Sequence, residues 1–237
     1  VEEIMTRNWL FVLALAGCAA TAQDIGPSGH GIVEVEGWTV SLDRSLLDGR
    51  GRALGEEVIE ALAGELAKIS ATLPQRRVAE LQRFPIRIDA DHPLERIQYH
   101  PNVDWLIEHE HDPTLVKSVH IPRAAQFVEL VRSGSQPWVM LHELAHAWHD
   151  AILGFDHEPI RRAWESAVAS KRFESVVHVS GEPRRHYGLT NHMEYFAETS
   201  EAYFGKNDYF PFDRAELAEV DPLGLQAVEA AWRVDSQ

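Results

Sequence analysis

His142-Glu143-Leu144-Ala145-His146 is an H-E-x-x-H pattern inside a long amphipathic run, and its reading decides the fold. On an α-helix, residues four apart stand one above the other on the same face. Both imidazoles then reach one zinc ion, with Glu143 beside it as a candidate general base. In a chain with 13 histidines, chance alone yields the pattern in roughly 7% of orderings. The surrounding sequence therefore has to supply the rest of a site.

Ser135 is the expected cap of the motif helix, with Pro137 in its first turn and Gly154 just past its end. Leu141, Leu144, Ala145, Trp148 and Ile152 form one apolar stripe at helical spacing, and His142, His146 and His149 lie along its polar border. That placement suits ligands at the floor of a cleft. Border histidines making ordinary hydrogen bonds would show the same pattern.

A catalytic zinc usually takes three protein ligands and keeps a fourth position for water. The extended pattern H-E-x-x-H-x-x-G-x-x-H is not met, because position 149 is His and position 152 is Ile. This excludes the metzincin arrangement and leaves a glutamate from a second helix as the remaining common solution. Residues 191–204, closed by Gly205, form the candidate helix, with Glu194, Glu198 and Glu201 on one face. A solvated acidic face, or a capping box between Asn191 and Glu194, accounts for the same residues. Spacing places Glu194 ahead of Glu158, Glu165, Glu174 and His178 without deciding among them.

The segment Tyr187-Gly188-Leu189-Thr190-Asn191-His192-Met193-Glu194-Tyr195-Phe196-Ala197-Glu198, following His142-Glu143-Leu144-Ala145-His146-Ala147-Trp148-His149-Asp150, resembles the catalytic core of the anthrax lethal factor-like zinc metallopeptidases, a gluzincin family. The resemblance implies His142, His146 and Glu194 as zinc ligands, Glu143 as general base and Tyr187 as transition-state stabiliser. It places Glu198, and Asp150 where the family often has Asp-Asp instead of His149-Asp150, as carboxylates supporting the ligands. It covers residues 142–198 and does not extend to 31–135 or to the toxin's entry and substrates.

Zinc lowers the pKa of a bound water toward neutrality. Glu143 would take the water proton and pass it to the leaving amine, Tyr187 would stabilise the oxyanion, and Glu198 would fix a histidine tautomer. His178, His186 and His192 are expected as loop or surface histidines, with a place lining the cleft as the alternative for His186 or His192, and His109-Glu110-His111-Asp112 is too local to form a second metal site.

The net charge of −15 argues against a nucleic-acid or anionic-membrane surface, since both need clustered Lys and Arg. With Met5 as the expected start, Arg7 leads into an apolar run over 9–17 that is too short to span a bilayer. Leu15-Ala16-Gly17-Cys18 resembles a bacterial lipobox, with Cys18 as lipidation site and residues 1–17 as signal peptide. Ala20-Thr21-Ala22 offers an alternative cut after 22. Residues 18–30 are then a linker and 31–237 the metallopeptidase domain. Cys18 is the single cysteine, so no disulfide is expected in that domain.

Within the domain, alternation over 31–42 predicts a hairpin turning near Glu36-Gly37. Leu54, Val58, Leu62, Leu66, Ile69 and Leu73 predict a helix that Pro74 interrupts, with a shorter one running to Arg83. Residues 85–89 and 116–121 predict strands, the latter as an edge for an extended peptide, and 122–132 a helix. The expected fold is α+β and zincin-like, a small β-containing N-terminal part with a mostly helical C-terminal part.

The expected function is an exported, monomeric zinc endopeptidase, either a lipoprotein of the bacterial cell envelope or a secreted or periplasmic protein, cleaving peptide or protein. It would bind no nucleic acid and touch the membrane only through a lipid anchor. From another class, a non-catalytic zinc-containing envelope protein binding peptide or glycan would need a closed site, with His149 or His186 in the water's place. Glu143 weighs against that reading, because a structural zinc needs no base. A third reading is coincidence, with no metal at all.

Overall fold

Apolar and polar residues alternate from Gly31 to Leu42, and the hairpin forms there. In the computed structural model, which describes residues 29–233, β1 (His30–Val35) pairs antiparallel with β2 (Trp38–Asp43). The turn falls on Glu36 and Gly37, with φ of 51° and 85°. Two positive φ values give the backbone twist that matches flanking strands. His30, assigned to the linker by sequence, is instead the first residue of β1, buried and bonded to Asp89. The signal segment, both processing sites and Cys18 lie outside the described residues.

The apolar stripe of α1 (Arg52–Thr72) buries Val58, Leu62, Leu66 and Ile69. Leu73 turns extended, with ψ of 151°, ahead of Pro74, and α2 (Gln75–Leu81) starts after it. A residue preceding proline is pushed out of the helical region, which ends the first helix there. The chain continues through β3 (Ile86–Ile88), β4 (Gln98–Tyr99), α3 (Val103–Glu108), β5 (Val119–Ile121) and α4 (Ala124–Ser133). Gly134, at φ 62°, closes α4.

The five strands lie in the order β1-β2-β3-β5-β4, with β2, β3 and β5 mutually parallel and β1 and β4 antiparallel at the edges. Register puts Val40, Ile86 and Val119 in one row and Leu42, Ile88 and Ile121 in another, all buried. Ser41, Arg87, His120 and Gln98 form the alternating row on the opposite face. Residues 116–121 are therefore not the edge: β5 is paired on both sides and β4 is the outer strand. Two residues are too few for a periodic signal, so sequence missed β4.

The C-terminal part is helical: α5 (Val139–Trp148), α6 (Glu158–Ser170), a two-stranded ribbon β6 (Val176–Val177) and β7 (Pro183–Arg184), α7 (His192–Phe204), α8 (Arg214–Val220) and α9 (Pro222–Trp232). The motif helix starts later than Ser135 predicts, with Trp138 at its cap position and no side-chain cap. Packing of α5 against the sheet and α7 sets that start, overriding the local capping signal. Trp148, Phe196 and Trp232 tie α5, α7 and α9 together, with ring centroids 5.0 and 5.8 Å apart. The chain is α+β, 56% helical with a small sheet. No helix among the described residues is long and apolar enough to cross a membrane.

Burial pushes His100, His149 and His186 down to about 3, helped at His100 by His120 and at His149 by His192. An unfolded histidine titrates near 6.5. Between those values the unfolded chain binds more protons than the folded one, so stability rises with pH across this window and is lost as pH falls. Each such histidine contributes a slope of up to about 1.4 kcal/mol per pH unit. Neither ring nitrogen of His149 has a hydrogen-bond partner among the described residues, and its ring packs on Phe155 and Phe196. His149→Phe is expected to flatten the stability-pH curve between pH 6 and 4 by about that slope, read from denaturant midpoints. An unchanged slope would show that His149 is protonated in the fold.

Candidate metal centre

The site is built where α5 packs on α7. Asn191 caps α7, its side chain accepting from the Met193 and Glu194 N–H groups at 2.9 Å each. The Glu194 carboxylate turns to the histidines instead: Oε2 lies 3.1 Å from His142 Nε2 and 3.2 Å from His146 Nε2. Donors of a tetrahedral metal bound at about 2.0–2.1 Å stand roughly 3.3 Å apart. Charge-assisted N–H···O bonds run shorter, near 2.7–2.9 Å. The two separations and the N,N,O donor set, whose atoms all lie within 4.8 Å of one another, fit a divalent metal.

Among the described residues, four groups of His, Asp and Glu bring donor atoms within 4.8 Å of one another and could hold a metal ion. Two of them share the buried Asp89, just past the end of β3. There His30 Nε2 and His120 Nε2 each lie 2.7 Å from an Asp89 oxygen, a hydrogen-bond length, and Arg87 Nε stands 3.3 Å from the same carboxylate. His120 Nδ1 then accepts from His100 Nε2 at 3.3 Å. A guanidinium on the carboxylate and donated N–H groups make this a buried hydrogen-bond network. The local His109–Asp112 cluster disperses: His109 bonds the Trp105 carbonyl and stacks on its ring, while Asp112 pairs with Arg87.

Glu143 is buried beside the three donors without joining them, and its Oε2 accepts the Tyr99 N–H at 2.7 Å. Burial raises its carboxyl, partly offset by His142 and His146. Burial also raises Glu194, but the bonds to His142 and His146 overcome it and hold this carboxyl well below its usual range. For His142, burial alone lowers the imidazole, and Glu194 and Glu201 lift it well above its ordinary value.

The supporting carboxylates differ from the sequence assignment. Glu198 Oε1 stands 3.8 Å from His142 Nδ1, too far to accept its proton. Glu201, nearly one turn further along α7, takes that place at 2.7 Å. Its only sequence signal is i, i+4, i+7 spacing, which a solvated helix face shows equally. Asp150 supports no ligand: it accepts from the Tyr99 hydroxyl at 2.8 Å and pairs with Lys117. Nothing in the sequence announces Tyr99. Buried Glu198 is pushed well above the carboxylate range by desolvation and by Glu201 and Asp208.

Tyr187 opens a single turn (Tyr187–Leu189) ahead of α7, with its ring centroid 6.3 Å from that of His142. Burial and the Glu194 charge raise its phenol. It shares a cleft of about 610 Å³ with His142, Glu143, His146, Glu194 and Tyr99, within the range of ligand sites. His149 lies against Phe155, Phe196 and His192, and His186 against Phe173 and Tyr209, so neither joins the donor group. His178 and His186 are buried and not at the surface, His186 in the loop just ahead of the Tyr187–Leu189 turn, and His192 Nε2 bonds the Phe155 carbonyl at 2.7 Å.

No family model, curated protein or solved structure matches the chain.

Proposed function

We propose that this chain is a zinc-dependent metallopeptidase of the gluzincin type with a zincin-like fold, similar in its site to the lethal factor-like family. One observation carries the reading: His142 Nε2, His146 Nε2 and Glu194 Oε2 converge at metal-ligand separations with an unligated, buried glutamate beside them. Two imidazoles and one carboxylate are a donor set that catalytic zinc sites use.

Zinc held there supplies a Lewis acid and a water acidified toward neutral pH. Glu143 takes the proton of the attacking water and passes it to the leaving amine. Tyr187, kept protonated by burial and by the Glu194 charge, donates its O–H to the oxyanion. Glu201 accepts the Nδ1 proton of His142, which leaves Nε2 as the lone pair facing the metal. An extended peptide adds beside the short edge strand β4, which lines the cleft through Gln98 and Tyr99. A closed, non-catalytic zinc site has no support from His149 or His186, which pack elsewhere.

The export of the chain, its lipid anchor at Cys18 and its monomeric state stay with this proposal. The test is peptide-library cleavage by the purified protein. Hydrolysis is expected to stop on chelation and return with about one equivalent of zinc. Cleavage that survives complete metal removal would sink the proposal.

A further inference from the structure

An edge strand turns half of its backbone groups away from its own sheet. Next to Tyr99 on β4, His100 gives both backbone groups to the β5 side: its N–H to Ser118 C=O at 3.1 Å, its C=O to Lys117 N–H at 2.7 Å. Alternation then points the Tyr99 N–H outward. There it donates to Glu143 Oε2 at 2.7 Å. The phenol of the same residue donates to Asp150 Oδ2 at 2.8 Å, and the Lys117 ammonium donates to that same oxygen.

Glu143 and Asp150 stand at i and i+7, two turns apart on the motif helix and its continuation. One tyrosine therefore bridges both carboxylates, by its backbone at one and by its side chain at the other. It is buried, with its ring edge-on to Phe84 at 6.3 Å. A glutamate side chain by itself turns freely about its last torsion. With one oxygen held by an amide, the carboxylate of Glu143 loses that freedom and its second oxygen takes a fixed direction.

We propose that Tyr99 is a positioning residue for Glu143, and that Asp150 and Lys117, which touch no donor of the metal group, act on the reaction through it. This rests on the metallopeptidase reading. It gives Asp150 a task at the site that no contact with a ligand histidine provides.

Two measurements on the zinc-loaded protein decide it. The first is amide hydrogen exchange at Tyr99, which needs no substrate. Its N–H is expected to be protected by about 100-fold or more although it faces away from the sheet. Glu143→Gln, whose side-chain oxygen still accepts, keeps that protection, and Glu143→Ala loses it. The second is kinetic. Tyr99→Phe and Asp150→Ala are each expected to lower kcat by roughly 10- to 100-fold, with KM within about twofold and zinc content unchanged. The double variant falls no further than the worse single one, because both substitutions break the same bond.

Fast exchange at Tyr99 in the unaltered protein, unchanged kcat in either single variant, or additive losses would each overturn the proposal. Absence of all peptide cleavage would refute the metallopeptidase reading, while the exchange result would still decide whether Tyr99 holds Glu143.

Discussion

Glu143→Gln is expected to bind a full equivalent of zinc and to cleave peptides about 10²- to 10⁴-fold more slowly, the range lost with a general base. The substitution is nearly isosteric, and the amide oxygen can still accept the Tyr99 N–H that Glu143 Oε2 accepts at 2.7 Å. His142, His146 and Glu194 are untouched, so the donor group stays intact. What is lost is the ability to take a proton. kcat/KM and zinc content measured on one sample check this. A variant with one zinc and activity within twofold of the parent would refute the role assigned to Glu143.

Glu194→Ala is expected to weaken zinc binding by more than ~100-fold, because partners outside the ligand sphere already cost 10- to 100-fold when removed. Glu201→Gln should fall in that smaller range, since Glu201 meets His142 Nδ1 at 2.7 Å. Glu198→Gln should change the affinity by only about threefold or less, because 3.8 Å is beyond hydrogen-bond reach. Competition against a chelator of known affinity ranks the three. If Glu198→Gln proved worse than Glu201→Gln, the carboxylates behind His142 would be wrongly assigned. Unchanged affinity in Glu194→Ala would remove the third ligand altogether.

Long, periodic segments were the legible part of the fold. The α1 stripe from Val58 to Ile69, the hairpin at Glu36-Gly37 and the Asn191 cap of α7 each carry a local signal that the structure bears out. The two-residue strand β4 carries none. His30 and Asp89, far apart in the chain, meet only because β1 and β3 join one sheet.

At the site the division is similar. Helical spacing brings His142, Glu143 and His146 to one side of α5, and Glu194, Glu198 and Glu201 to one side of α7. Which glutamate meets which histidine nitrogen depends on how the two helices cross, and that is a matter of packing. Glu194 reaches both Nε2 atoms, Glu201 the Nδ1 of His142, and Glu198 falls between them.

The sequence by itself determined an α+β chain with two imidazoles and a carboxylate at i, i+1 and i+4 on one helix, and three glutamates on the face of another. Those are periodicities, fixed by backbone geometry within a single element. Only the tertiary structure decided that Glu201 bonds His142, that Asp150 binds Tyr99 and neither His142 nor His146, and that β4 is the edge beside Glu143. Those are distances between elements, set by helix crossing and strand order, to which no local repeat responds.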